Sequence, residues 1–260
     1  MQKIKKIARA TATAILTCAF LIFCMYSSQV SQVEQSASQV TADSNISRTL
    51  SHAKKRAVTK SRMSAVRIFS PSVDGTALSS MSGTYMSLFG RYYVLTVLHG
   101  IAGPCEHVRI LTNGEYYQCL SYVTESIEYD YMIMEVERLP GRTPINILTE
   151  IEAPASLRKS HSIMSPVYYT GYPNTMGPFT IEGYIIGYDA LRVEHVYILS
   201  YAWMGASGSG VFGESGKFMG YVLALDVGQT EYGVEILENV VMVGSTQNID
   251  WKPLLKQIYK

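Results

Sequence analysis

The sequence predicts an all-β fold, a pair of β-barrels with one short helix at the C-terminus, and two observations carry that prediction. From Ser64 onward, short apolar or alternating runs recur between turn residues, which is the pattern of half-buried strands. Helix signals gather only in Asp250-Trp251-Lys252-Pro253-Leu254-Leu255-Lys256-Gln257-Ile258, where Asp250 can cap and Pro253 falls inside the first turn. At 260 residues and 47% apolar the chain can bury a full core, and a domain of about 200 residues is ordinary for an all-β barrel protein.

Taken in order, residues 66–69, 84–88 and 92–97 read as the first strands, with Gly90-Arg91 closing a hairpin. Residues 107–111 and 115–119 flank Asn113-Gly114, the strongest short hairpin signal in the chain. Further strands are expected at 131–136, 167–170, 180–187, 196–200, 210–212 and 219–225. In the hairpin turning at Asn113-Gly114, Cys119 faces about position 108, so a bridge to Cys105 requires the strand to curl. Bridged and free thiols stay equally open.

Upstream of this region the composition changes. Residues 1–26 read as a targeting element, with Lys3, Lys5, Lys6 and Arg9 before an uncharged run of 17 residues over 10–26. That length fits either a signal peptide or an uncleaved membrane anchor, and in both cases the basic flank predicts that the remainder crosses the membrane. An extracytoplasmic location, periplasmic or secreted, is therefore expected. Residues 27–62 are rich in Ser, Gln, Ala and Val and lack aromatics, and read as a flexible linker or propeptide. Within them Lys54-Lys55-Arg56 is either a solvated charge run or a processing site.

The net charge of +1 conceals an asymmetry. Residues 63–260 hold twelve Lys or Arg against nineteen Asp or Glu, a net of −7, which argues against nucleic acid as a partner. His107, His161 and His195 have no Cys or His at metal-ligand spacing, so no metal site is expected.

Chemistry concentrates in Gly205-Ala206-Ser207-Gly208-Ser209-Gly210-Val211-Phe212. A serine between glycines on a tight turn, leading into a strand, is what an exposed nucleophile needs. The N–H groups of Gly205 and Ser207 could converge on a developing oxyanion. A serine hydroxyl needs a histidine to take its proton, and that histidine needs an acceptor to fix its tautomer. His99 follows the apolar run 92–98, and Asp130 opens the apolar run 131–136.

The order His, Asp, Ser, with "VLTVLHG", "YDYMIMEVE" and "GASGSGVF" around the three residues, resembles the chymotrypsin-like serine peptidases. The compact spacing is most similar to HtrA/Deg-type proteases and glutamyl endopeptidases, and the likeness runs from about Ser64 to the C-terminus. The resemblance implies two six-stranded antiparallel barrels with the site in the cleft between them. It implies His99, Asp130 and Ser207 as catalytic residues, Gly205 and Ser207 as oxyanion donors, and protein or peptide as substrate, with no cofactor. It also implies Tyr201, six residues before Ser207, and Asp226 as candidates for the specificity pocket. Ala206 departs from the usual Asp or Asn, and Gly100 stands where relatives often carry a cysteine. No PDZ domain is expected after the protease domain, and the oligomeric state is left open. A catalytically inactive protease-like binding domain and a secreted all-β binding module are the alternative readings.

Overall fold

The computed structural model describes residues 46–47, 49–151, 161–189, 195–230 and 233–257, the side chains of 175, 224–230 and 233–238 excepted. Among the described residues there are thirteen strands, twelve of which form two closed barrels. The first is built from β1 (Ala65–Pro71), β2 (Leu78–Leu88), β3 (Arg91–Thr96), β4 (Arg109–Thr112), β5 (Glu115–Ser126) and β6 (Tyr131–Val136). Its order is β1-β4-β5-β6-β3-β2, antiparallel throughout, and β2 pairs back onto β1. The two-residue β7 (Ile145–Asn146) adds in parallel to β2.

The second barrel comprises β8 (Pro166–Gly171), β9 (Phe179–Tyr188), β10 (His195–Leu199), β11 (Gly210–Gly213), β12 (Phe218–Thr230) and β13 (Gly233–Ser245). Its cyclic order is β10-β13-β12-β11-β8-β9. The expected pair of six-stranded antiparallel barrels is present, as is the C-terminal helix, α3 (Lys252–Lys256). Asp250 accepts from the Lys252 N–H at 3.0 Å, and Pro253 lies in the first turn. A short α2 (Ile147–Glu150) links the barrels.

The hairpin signals act through backbone sign. Asn113 and Gly114 have φ of 53° and 79°, and Phe89 and Gly90 have 48° and 82°, the pair of positive values that a two-residue turn matching strand twist requires. Strand alternation then sorts side chains to opposite faces. On β8 and β11, Val167, Tyr169 and Val211 enter the second barrel's core, while Tyr168 and Phe212 join the cluster that continues into the first barrel. Phe212 meets Phe218 edge-on, with centroids 5.6 Å apart, and Tyr131 meets Tyr221 likewise at 6.5 Å. The barrels therefore share one aromatic seam.

Two elements differ from the sequence reading. Strand β13 was not expected from the pattern of 233–245. Residues 27–62, read as linker or propeptide, include most of a helix, α1 (His52–Ser64). Ser51 caps it by accepting from the Lys54 N–H, and Ala57, Val58, Ser61 and Ser64 form its buried face. That face is made of small residues and packs on β2, β8, β9 and β11, so tertiary burial holds a segment whose own apolar content is low. Residues 1–45 lie outside the described part. Among the described residues no helix is long and apolar enough to cross a membrane.

Cys105 and Cys119 form a disulfide with Cα atoms 5.3 Å apart. The curl this bridge needs comes from a single 3-10 turn, Cys105–His107, ahead of β4. It brings Cys105 back over the hairpin.

Candidate active site

His99 leaves the first barrel three residues after Thr96 ends β3, and Asp130 sits at the tip of the β5–β6 hairpin. Asp130 adopts φ of 51°, a left-handed conformation that Asp tolerates better than most residues. The Leu98 N–H donates to its carbonyl at 3.3 Å. One carboxylate oxygen, Oδ1, accepts from the His99 N–H at 2.8 Å. The other, Oδ2, lies 2.5 Å from His99 Nδ1. Both oxygens are thus committed to one residue, which puts the ring proton on Nδ1 and leaves Nε2 free to accept. The hydrogen bond to Asp130 raises the His99 pKa above its ordinary 6.5, burial opposes this, and the carboxylate charge adds to the rise.

Ser207 comes from the second barrel, on a turn held by the first. The Ser82 N–H donates to the Ser207 carbonyl at 3.0 Å, and the Ser82 hydroxyl donates to the Gly205 carbonyl at 2.7 Å. Thr84 donates to the Gly208 carbonyl at 3.2 Å, and Thr96 donates to the Ser82 carbonyl at 2.7 Å. Gly208 has φ of 87°, and a Cβ there would fall 2.1 Å from the Ser82 carbonyl oxygen. Only glycine fits so close an approach. The turn and His99 therefore come from different barrels, the turn docked on Ser82 and Thr84 of β2 and His99 held by Asp130. Among the described residues, the Ser207 hydroxyl shares no hydrogen bond with His99.

The direction of the two expected oxyanion donors follows from peptide geometry, because N–H and C=O of a trans peptide point oppositely. The Met204 carbonyl, in one plane with the Gly205 N–H, accepts from the Asn174 N–H at 2.7 Å. The Ala206 carbonyl, in one plane with the Ser207 N–H, accepts from the Ser209 N–H at 3.1 Å and from its hydroxyl at 2.6 Å. Both carbonyls are pinned. Among the described hydrogen bonds, neither the Gly205 nor the Ser207 N–H is used, and both stay available to a ligand. Ser209 itself is buried, its hydroxyl spent on the turn.

Tyr201 lies six residues ahead of Ser207 on the approach to the turn. Its ring is 57% exposed and stacks on Trp203, with centroids 6.2 Å apart, while Phe179 meets Trp203 edge-on at 6.3 Å. The Tyr201 carbonyl accepts from the buried Tyr169 hydroxyl. These rings form an aromatic ledge two residues ahead of Gly205. Asp226 pairs through its backbone with Leu237 on β13, and its side chain lies outside the described residues. Among the described residues no three His, Cys, Asp or Glu side chains converge, and no residue set is assigned a metal.

Sequence reasoning missed Ser82, Thr84, Tyr172 and Asn174, which hold the turn. The bonds of Ser82 and Thr84 to it span 123 and 124 residues of sequence, so no local motif carries them.

Two closed six-stranded barrels that share a seam, with His99 and Asp130 on one and the Ser207 turn on the other, make the chymotrypsin-like double-barrel fold. Solved structures that share this architecture include serine proteases. The Rv3671c protease from M. tuberculosis in its active form superposes with a TM-score of 0.55 at 18% identity, over 78% of this chain and 83% of that one. The serine endoprotease from Yersinia pestis gives 0.55 at 19% identity, over 81% of this chain and 66% of that one. The inactive form of Rv3671c gives 0.53 at 17%, over 78% and 91%. At such identities the likeness is one of fold. No protein-family profile matches the sequence. No curated protein matches it either.

Proposed function

We propose that the chain is a serine endopeptidase that cleaves proteins or peptides through an acyl-enzyme. The observation that carries this reading is the His99–Asp130 pair beside a Ser207 turn whose two N–H groups are oriented and unspent. Ser207 Oγ attacks the scissile carbonyl carbon while His99 Nε2 takes its proton. The oxyanion forms against the N–H groups of Gly205 and Ser207, an interaction that costs about 3 kcal/mol to lose per donor in other enzymes. Collapse expels the amine, which carries off the proton from His99, and water repeats the sequence on the ester. Asp130 holds the imidazole in register and stabilises its charged form. Every group used belongs to the chain itself.

The same reading puts the domain outside the cytoplasm, its N-terminal 26 residues serving as signal or anchor. The Cys105–Cys119 bridge supports an oxidising surrounding. Tyr201 and the ledge around it are proposed to border the bound substrate.

Labelling with a fluorophosphonate probe tests the assignment. Wild type and Ser209→Ala are expected to label, and Ser207→Ala and His99→Ala are not. Failure of the folded wild type to label overturns the assignment of Ser207 as an active nucleophile.

A further inference from the structure

Arg142 is a buried guanidinium that, among the described residues, has no carboxylate within ion-pair distance and spends donors on three separate segments. It is 9% exposed. Its Nε donates to Thr112 Oγ1 on β4 at 2.7 Å, its Nη1 to the Arg62 carbonyl near the end of α1 at 3.1 Å, and its Nη2 to the Tyr172 hydroxyl at 2.9 Å. The neighbouring Thr143 N–H donates to the Met63 carbonyl at 3.1 Å, stitching the same stretch to the end of α1. Burying a cation without a counter-ion is costly, and the planar fork of arginine is what lets one group orient three oxygens at once.

From Tyr172 the connection runs to the oxyanion turn. The Tyr172 N–H donates to the Ser82 hydroxyl at 2.8 Å, and that hydroxyl donates to the Gly205 carbonyl. Two residues on, the Asn174 N–H holds the Met204 carbonyl, the far end of the peptide that carries the Gly205 N–H. The Tyr172 carbonyl lies 2.7 Å from where a Gly205 Cβ would stand. Residues 172–174 thus clamp both peptides that flank Gly205. Position 206 is a buried alanine, whose side chain has no hydrogen bond to offer the turn.

We propose that Arg142 is a positioning residue that ties helix α1 to the oxyanion turn through Tyr172, so that residues 52–64 belong to the working catalytic unit and are not a dispensable leader. α1 is docked independently by Ser61 donating to Thr170 at 2.8 Å and by Arg62 donating to Thr180 at 2.7 Å. Thr170 and Tyr172 flank Gly171, whose missing Cβ makes room for the hydroxyls of Ser209 and Ser82. Helix, clamp and turn therefore move as one body. The consequence rests on the endopeptidase reading, but the mechanical link does not.

The test uses the full chain and three variants: Tyr172→Phe, which keeps the ring and removes the hydroxyl Arg142 binds; Arg142→Lys, which keeps the charge and loses the fork; and Ile110→Val in the first barrel's core, outside the chain of bonds. Peptide-resolved amide hydrogen exchange over 203–209 is expected to quicken by about tenfold or more in Tyr172→Phe and Arg142→Lys, and to stay at the wild-type rate in Ile110→Val. On an ester substrate, kcat should fall by about tenfold, part of the 10²–10³ that deleting a donor costs, with KM within about twofold. The acid limb of the pH profile should not move, because the His99–Asp130 pair is outside the chain. Unchanged exchange over 203–209 in folded Tyr172→Phe overturns the proposal, as does a kcat loss that Ile110→Val reproduces. A wild type that turns over no substrate sinks the endopeptidase reading, while the exchange comparison still decides the link.

Discussion

Gly208→Ala and Gly90→Ala make a matched pair that isolates how tightly the nucleophile turn is docked. Both glycines have positive φ, 87° and 82°, so alanine at either costs about 1–2 kcal/mol of left-handed strain. Around Gly90 nothing lies within 4 Å of the added Cβ, and the strain is the whole cost. At Gly208 the Cβ meets the Ser82 carbonyl at 2.1 Å and Thr96 Oγ1 at 2.5 Å, and neither is a flexible end that can swing away. Relief requires the turn to lift, which breaks the Thr96 bond to Ser82 or the Ser82 bond to Ser207, each worth about 1 kcal/mol net. Gly208→Ala is thus expected to cost about 2–3 kcal/mol, a fall in Tm on the order of 5–10 °C for a domain of this size, and to slow fluorophosphonate labelling sharply. Gly90→Ala should cost about 1–2 kcal/mol and label like wild type. Equal costs for the two variants, with wild-type labelling by Gly208→Ala, would refute the docking of the turn on Ser82 and Thr96.

Three further outcomes are expected. The raised His99 pKa puts the acid limb of kcat/KM above pH 6.5, because the ring must be neutral to take the Ser207 proton. Asp130→Asn removes the charge and the Nδ1 acceptor, so the limb should move to lower pH while kcat drops by about 10⁴-fold through the wrong tautomer. The same shift carries a stability signature: the extra stability that protonated His99 gains from Asp130 is fully present below pH 6.5 and is lost as pH rises through the raised folded value, which urea titrations across that window would register. Replacing Cys105 and Cys119 by serine releases a cross-link of sequence separation 14, which the chain-entropy relation values at about 3 kcal/mol. Thermal unfolding of the double variant against oxidised wild type measures it.

The barrels were legible because strand periodicity and turn chemistry are local. Asn113-Gly114 and the run 131–136 announce themselves within a few residues, and β6 has the bounds expected from its sequence. His99, Asp130 and Ser207 were legible as contexts, each at the edge of an apolar run. Helix α1 was not, since its buried face is Ala57, Val58, Ser61 and Ser64, and residues that small leave no apolar periodicity in a basic segment. Strand β13 was hidden for the opposite reason: Val234, Ile236, Leu237, Val240 and Val241 match helical and extended spacing alike, and only pairing with β12 decides. The supports of the turn were illegible in principle. Ser82, Thr84 and Tyr172 are ordinary strand and loop residues until the fold brings them within reach of the turn.

The aromatic ledge gives the protein an optical handle on its own chemistry. Of its two tryptophans, Trp251 is fastened to the C-terminal end of the fold, its indole N–H donating to the Thr246 carbonyl at 3.2 Å. Trp203 stands 44% exposed between Tyr201 and Phe179, two residues from the oxyanion turn. On the endopeptidase reading, a peptide laid against this ledge would move the Trp203 indole from water into a drier medium and shift its emission to the blue. Occupancy would then be legible in the colour of the intrinsic fluorescence, with Trp251 as a reference in the same spectrum.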